Sequence, residues 1–284
     1  MDWDRAKTLT IVFLLFLDAF LGYYVYRERN KYYLDARQAL IITELLGKNS
    51  ISLKTAIPRS YQPMRQLSMS GYEYDEYELL EIFFGDPLSA DRINELDGKT
   101  IYESGDRRLT IQNGFITFDR PAGASELALS SETAISQSRE FLRGMGEISA
   151  FALDSVFIDE EGCRVRFCQK YRDNIIYTNF IEFLVTEKGV IQIDCIYSRP
   201  KGYLGQLTEL CAVDEALLNF SQYYKDAYKD RPADVIKIDL VYYQKEGSIH
   251  DSASLTAVPY YRVEVEGFER PFLINAYLNR IEQF

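Results

Sequence analysis

Apolar residues are laid out in three patterns along this chain: one unbroken block near the start, short stripes at helical spacing, and longer alternating runs. The block runs from Leu9 to Val25 and holds no Lys, Arg, His, Asn or Gln and one acid, Asp18. As a helix its 17 residues span about 25 Å, the short end of a transmembrane length. Trp3 precedes it and Tyr23, Tyr24 and Tyr26 cluster at its far end, as an aromatic belt does at a membrane surface. No small-x-small cleavage site follows in "FLGYYVYRERN", so the pattern predicts an uncleaved signal anchor. Arg5 and Lys7 on one side and Arg27, Arg29 and Lys31 on the other leave the positive-inside rule undecided. The expected arrangement is a cytoplasmic tail (1–7), a single membrane span (8–26) and a large extracytoplasmic body.

Asp18 sits almost at the centre of the span. A central Asp opposes insertion by roughly 2.5–3.5 kcal/mol, and each Leu, Ile, Phe or Val returns about 0.3–0.6. With eleven such residues the return is on the order of 3–6 kcal/mol, so a lone helix inserts marginally. Ile11, Leu15, Asp18 and Gly22 share one face at i, i+4, i+7 and i+11, and the small glycine lets another helix approach closely. Two readings follow: a helix–helix contact in which Asp18 meets a donor, or a protonated acid that the bilayer tolerates.

Beyond the anchor, "RNKYYLDARQALIITELLGKN" reads as a helix with Tyr33, Ala36, Leu40, Ile41 and Leu45 recurring near helical spacing and a stop at Gly47. A strand-rich stretch follows to Gly85-Asp86-Pro87, then two hairpin signals, Ser104-Gly105-Asp106 and Asn113-Gly114. The small, turn-prone "RPAGAS" at 120–125 predicts a boundary between a first α+β domain (27–122) and a second (123–284). The second block repeats the plan: a helix from Ser131, strands "FALDSVFID", "CRVRFCQKY", "IIYTNFIEFLVT" and "VIQIDCIYS", a helix through "LTELCAVDEALLNFSQYYKDAY" with Leu210, Val213, Leu217 and Phe220 as its stripe, and three more strands to the end. Helix-plus-antiparallel-sheet units in series predict the α+β class.

Net charge is −11. Residues 32–284 carry 27 basic and 39 acidic groups, a poor match for nucleic acid or an anionic membrane surface and a suitable one for a basic protein face. The one histidine, His250, lies in the polar "KEGSIHDSAS" without the companions a metal site or a relay needs. Cys163, Cys168, Cys195 and Cys211 form no CxxC; disulfides and buried free thiols both remain open, and opposite parity points Cys163 and Cys168 to opposite faces of one strand. The richest acidic run is "YEYDEYELLE" (72–81). Read as a strand, it offers Tyr72, Glu73, Tyr74 and Asp75 as an acidic, aromatic docking face, or as a solvated edge whose charges block aggregation. No G-x-S-x-G, Walker or Rossmann signature is present. No catalytic residue, cofactor or metal is expected.

The opening Met1, Asp2, Trp3, Arg5, Lys7 and Thr8 followed by one apolar span resembles the start of the YycI (WalI) family, and "PYYRVEVEGFERPFLINAYLNRIE" resembles that family's end. The tail also resembles PepSY-type repeats, with Ile274, Asn275, Ala276, Tyr277 and Asn279 in the terminal hairpin; two such units are expected in the second domain. The resemblance implies a non-enzymatic regulator in the membranes of Gram-positive bacteria. Such proteins act with a YycH-like sister protein on the sensor histidine kinase of the two-component system governing cell-wall metabolism, and their membrane helices associate. The direction of regulation stays open. An extracytoplasmic ligand-binding or peptidase-inhibiting protein of PepSY type is the alternative.

Overall fold

In the computed structural model, residues 3–70, 75–94, 98–120, 130–145, 150–229, 231–244 and 255–282 are described. The elements are α1 (Trp3–Asn30), α2 (Ala36–Lys48), β1 (Ile51–Leu53), β2 (Met64–Met69), α3 (Glu76–Phe84), β3 (Asp91–Asn94), β4 (Lys99–Ser104), β5 (Arg107–Gln112), β6 (Phe115–Asp119), α4 (Ser131–Gly144), β7 (Phe151–Ile158), β8 (Cys163–Tyr171), β9 (Asn174–Thr186), β10 (Gly189–Ile196), β11 (Pro200–Thr208), α5 (Val213–Tyr228), β12 (Ala233–Tyr243), β13 (Leu255–Val265), β14 (Phe272–Asn275) and β15 (Arg280–Glu282). The class is α+β, with an apolar N-terminal helix and largely antiparallel sheet.

The chain forms two compact units, neither continuous in sequence. One comprises Met1–Met64, Leu207–Asp239 and Tyr261–Phe284, the other Arg65–Gln206 and Leu240–Tyr260. The expected division at 122/123 falls outside the described residues. Compactness follows strand pairing instead: Phe115–Ile116 and the rest of β6 pair antiparallel with Gln192–Ile196 of β10, which places the two halves on either side of that point in one sheet.

In the second unit eight strands run antiparallel in the order β7-β8-β9-β10-β6-β5-β4-β3. The Asn113-Gly114 turn between β5 and β6 has positive φ at both residues (51° and 81°), the I′ geometry whose twist suits a hairpin. One sheet face is covered by α3 and α4. α4 starts at the cap Ser130, whose hydroxyl accepts from the Thr133 N–H, and buries Ala134, Ser138 and Leu142. α3 corrects the strand expected over 72–81. Asp75 accepts from the Tyr77 and Glu78 N–H groups, satisfying orphan donors at a helix start. Leu79, Leu80, Phe83 and Phe84 then fall on one buried helical face, and Gly85 at φ 81° ends it. Rings tie the layers together: Phe83 stacks on Phe118 at 5.0 Å, and Phe141 meets Phe183 edge-on at 5.7 Å.

The opposite sheet face carries charge in register. Arg166 pairs with Glu182, Glu182 with Asp194, and Asp194 with Thr117. The Arg166 guanidinium lies 3.7 Å from the Phe180 ring centroid and 3.4 Å from Glu182. Burial pushes the Asp194 carboxyl above its ordinary range; a Thr117 hydrogen bond opposes the rise, and the Glu182 and Asp119 charges add to it.

The first unit is built around α5. Val213, Ala216, Leu217, Phe220, Ser221 and Tyr224 form its buried face. The helix begins at Val213, later than expected, because Pro200–Thr208 is extended as β11. β1 pairs parallel with β12 over Ile51–Leu53 and Ala233–Val235. Across β12 and β13 the fully buried Arg262 grips Asp239 through Nε (2.8 Å) and Nη2 (2.5 Å), a two-pronged arrangement that meets the need of a charge removed from water. The last expected strand is a hairpin, β14–β15. Asn275 Oδ1 accepts from the Tyr277 and Leu278 N–H groups, and Asn279 takes φ 49°, which explains asparagine at both ends of this turn.

Two stability predictions follow from these cores. Phe183→Ala empties a fully buried site ringed by Phe141 and Phe167 and is expected to destabilise by about 3–5 kcal/mol. Phe157→Ala on the exposed end of β7 is expected to fall within about 0.5 kcal/mol of wild type; urea denaturation of the full chain in detergent separates the two. For Asp194, a raised folded-state value means that its stabilising contribution is present at acid pH and lost as pH rises through that value. Asp194→Asn therefore stabilises at neutral pH by about 0.2–1 kcal/mol, the scale of a directly opposed like-charge pair, and the gain vanishes below about pH 3.5. A gain that persists in acid contradicts the electrostatic explanation.

Candidate functional site

α1 extends the apolar block by a turn or more at each end, and residues Ala6–Arg27 are long and apolar enough to cross a membrane. Its hydrogen bonds close within the helix, as a lipid environment requires; Thr10 Oγ1 also donates to the Ala6 carbonyl at 2.9 Å. Residues 7–27 are all exposed. Ile11, Leu15, Asp18 and Gly22 lie on this uncovered helix, and a Cβ added to Gly22 meets nothing within 4 Å. Asp18 has no hydrogen-bond or ion-pair partner among the described residues. The described residues supply neither a donor for its carboxylate nor a helix for its face.

The helix is joined to its unit by a hydrogen-bonded turn. The Tyr33 N–H donates to Asn30 O, Leu34 N–H to Arg59 O (2.7 Å) and Tyr61 N–H to Tyr32 O (3.1 Å), with Leu34 fully buried. Lys31 Nζ and Tyr32 OH both donate to Glu209 Oε1 at 2.7 Å. Those hydrogen bonds raise the lysine above its usual range and lower the glutamate. Both groups are exposed, so solvent screens the pair. Sequence reading missed Lys31, Tyr32, Tyr61 and Glu209 as a group: Lys31 and Glu209 are 178 residues apart, and neither stands in a motif.

Of the acidic, aromatic stretch, Tyr72, Glu73 and Tyr74 lie outside the described residues, and Asp75 is the cap of α3. Beside it a cleft of about 510 Å³ opens between α3 and α4, lined by Glu78, Glu81, Ile82, Phe141, Gly144 and Met145. Carboxylates form one wall and apolar groups the other, a surface able to take an amphipathic, basic ligand. His250 also lies outside the described residues. Cys163 and Cys195 belong to the core beneath the helices, whereas Cys168, equally buried, is on the other strand parity. All four cysteines are free thiols. Burial pushes Cys195 up to about 12 and Cys211 up to about 11, so both stay protonated and poorly nucleophilic. Among the described residues no group of three or more His, Cys, Asp or Glu is placed to hold a metal.

Comparison with solved structures finds the same fold in an uncharacterized protein from Eubacterium rectale. It is 11% identical, with a TM-score of 0.53 over 83% of this chain and 91% of that one. YycH from Bacillus subtilis aligns at 16% identity and a TM-score of 0.46, over 75% of this chain and 54% of that one. The YpeB C-terminal domain from Bacillus megaterium aligns at 9% and 0.43, over 75% and 97%. Curated protein sequences yield no match. The family model for YycI protein matches residues 34–277, from the end of the turn after α1 to the terminal hairpin. By that match, which spans most of the chain, the protein belongs to the YycI family.

Proposed function

We propose that this protein is a membrane-anchored accessory regulator of the sensor histidine kinase in a two-component system controlling cell-wall metabolism, acting beside a YycH-like sister protein. It catalyses no reaction. Residues 1–7 face the cytoplasm and the body lies outside, so influence on the kinase passes through α1 and through ectodomain contacts. Family membership supports the reading. The observation that carries it is the uncovered face Ile11, Leu15, Asp18 and Gly22, whose acid finds no partner among the described residues. Ionisable groups inside a membrane characteristically face protein.

A kinase with two signalling states shifts only when the regulator binds one better than the other. A coupling of about 1–3 kcal/mol changes the ratio roughly 5- to 150-fold. One hydrogen bond between membrane helices averages nearer to about 0.6 kcal/mol, so Asp18 shares the work with packing at Gly22 and with the ectodomain. A ligand-binding ectodomain is the second reading, favoured by the cleft between α3 and α4; a peptide that co-purifies in that cleft supports it over the first.

The test is recovery of the kinase from solubilised membranes with the full-length protein, with Asp18→Leu, and with α1 exchanged for a foreign anchor. Asp18→Leu is expected to weaken recovery about threefold, the equivalent of one such hydrogen bond, and the foreign anchor to weaken it further. Equal recovery by all three removes the helix contact and leaves only the ectodomain. Recovery by none, wild type included, removes the regulator reading.

A further inference from the structure

We propose that the cleft between α3 and α4 binds a short peptide segment that carries lysine or arginine beside an apolar side chain. The inference rests on the ligand-binding reading of this cleft and gives its ligand a chemical class.

Each helix contributes one triplet to the lining. Glu78, Glu81 and Ile82 stand at i, i+3 and i+4 on α3, and Phe141, Gly144 and Met145 repeat that spacing at the end of α4. Among the described residues no lysine or arginine pairs with the carboxylate of Glu78 or Glu81. α3 contains no basic residue. Arg139 and Arg143 of α4 lie two residues either side of Phe141, about 200° around the helix from it, and so point away from the cleft. Arg92 and Arg107 also reach α3 but are engaged there, Arg92 with Glu76 at 3.5 Å and Arg107 with the Phe84 carbonyl at 3.2 Å. The acidic wall thus faces the cleft uncompensated.

The apolar wall is preformed. The Phe141 ring packs against Phe83 and Phe183, 5.9 and 5.7 Å between centroids, yet stays half-buried. Beside it Gly144 keeps the space open: a Cβ there meets nothing within 4 Å.

The two walls select the ligand together. A metal cation or polyamine answers the carboxylates and leaves Ile82, Phe141 and Met145 in water. A purely apolar ligand covers those three and takes water from the carboxylates without replacing it. A peptide sets a cationic head and an apolar side chain on neighbouring residues and meets both walls at once. The volume of about 510 Å³ lies within the ~300–1,000 Å³ of sites that take small ligands, room for a short segment rather than a folded domain. The acidity of the body as a whole favours approach of a basic segment.

The test uses the full chain in phosphatidylcholine discs and the fluorescence anisotropy of three labelled pentapeptides: Leu-Lys-Phe-Lys-Leu, and the same with glutamine or with glutamate for lysine. The lysine peptide is expected to bind most tightly, the glutamate peptide least, and the lysine peptide to weaken as salt is raised. Glu78→Gln and Glu81→Gln are each expected to weaken it up to about fivefold, the range of an exposed ion pair. Gly144→Leu puts a side chain into open space and suits a helix better than glycine; it is expected to abolish binding. Unchanged urea midpoints verify that each variant is folded. Equal binding of the three peptides, or indifference to both glutamine variants, overturns the basic class; loss with Gly144→Leu then keeps the cleft as a ligand site. Binding that Gly144→Leu leaves unchanged lies elsewhere and overturns the inference. No binding of any peptide overturns the inference and the ligand-binding reading together.

Discussion

Apolar surface has to leave water, and among the described helices α1 is the one that cannot do so against its own chain. α2, α3, α4 and α5 each turn some apolar residues into a protein core. α1 turns none inward: from residue 7 to residue 27 it is exposed on all sides. A helix satisfies its backbone internally and so tolerates hydrocarbon, whereas water would leave its Leu, Ile, Phe and Val side chains hydrated. With the bilayer as solvent, the only group out of place is Asp18. On the proposed reading of α1 as an anchor, the same condition makes its acid conspicuous, and a neighbouring helix with a donor is the simplest relief.

Beyond α1 the chain reuses one construction. A helix followed by a four-stranded meander occurs as α3 with β3–β6, as α4 with β7–β10, and as α5 with β12–β15. The first two join through their last strands, β6 and β10. That pairing covers an edge in each meander that would otherwise present unpaired N–H and C=O groups. It leaves β3 and β7 at the ends of the antiparallel array, and β7 is interrupted by a register shift between Leu153 and Ser155, a bulge of the kind that discourages a further strand from adding. Helices confined to one face let the other carry charge, which is why Arg166, Glu182 and Asp194 meet there rather than in the core.

What could be read from the sequence follows the strength of local signals. β7 to β10 were legible because their apolar alternation is punctuated at Gly162, Arg172-Asp173 and Gly189, where the structure indeed turns. The α4 start at Ser131 and the hairpin at Asn113-Gly114 were legible for the same reason. α3 was not: the alternation of Tyr and acid through 72–77 imitates a strand, while the deciding cap at Asp75 and the Leu79–Phe84 face are helical. β11 was missed because "PKGYLGQLT" is mostly exposed and shows no buried alternation. The anchor and Asp18 stand out in composition alone. The Lys31–Glu209 contact and the Glu182–Asp194 register depend on which distant segments become neighbours, and no short window of sequence holds that information.

On the proposed reading, the join between α1 and its unit decides how much the body of the chain can tell that helix. Lys31 and Glu209 are conspicuous there, yet a screened surface pair between long side chains contributes little. The stiffness comes from elsewhere. Three backbone hydrogen bonds fix residues 32–34 against 59–61 and against the end of α1, and the wholly buried Leu34 closes the turn from below. Tyr32 adds an edge-on ring contact with Tyr61 at 6.1 Å. Breaking this turn exposes Leu34 and leaves backbone groups to be solvated, whereas separating Lys31 from Glu209 merely exchanges one set of hydrogen bonds for water. A regulator joined by a flexible linker could contribute only proximity. One joined by an ordered turn also sets the direction in which Asp18 faces, and if a partner meets that single carboxylate in hydrocarbon, as proposed, direction determines whether contact forms at all.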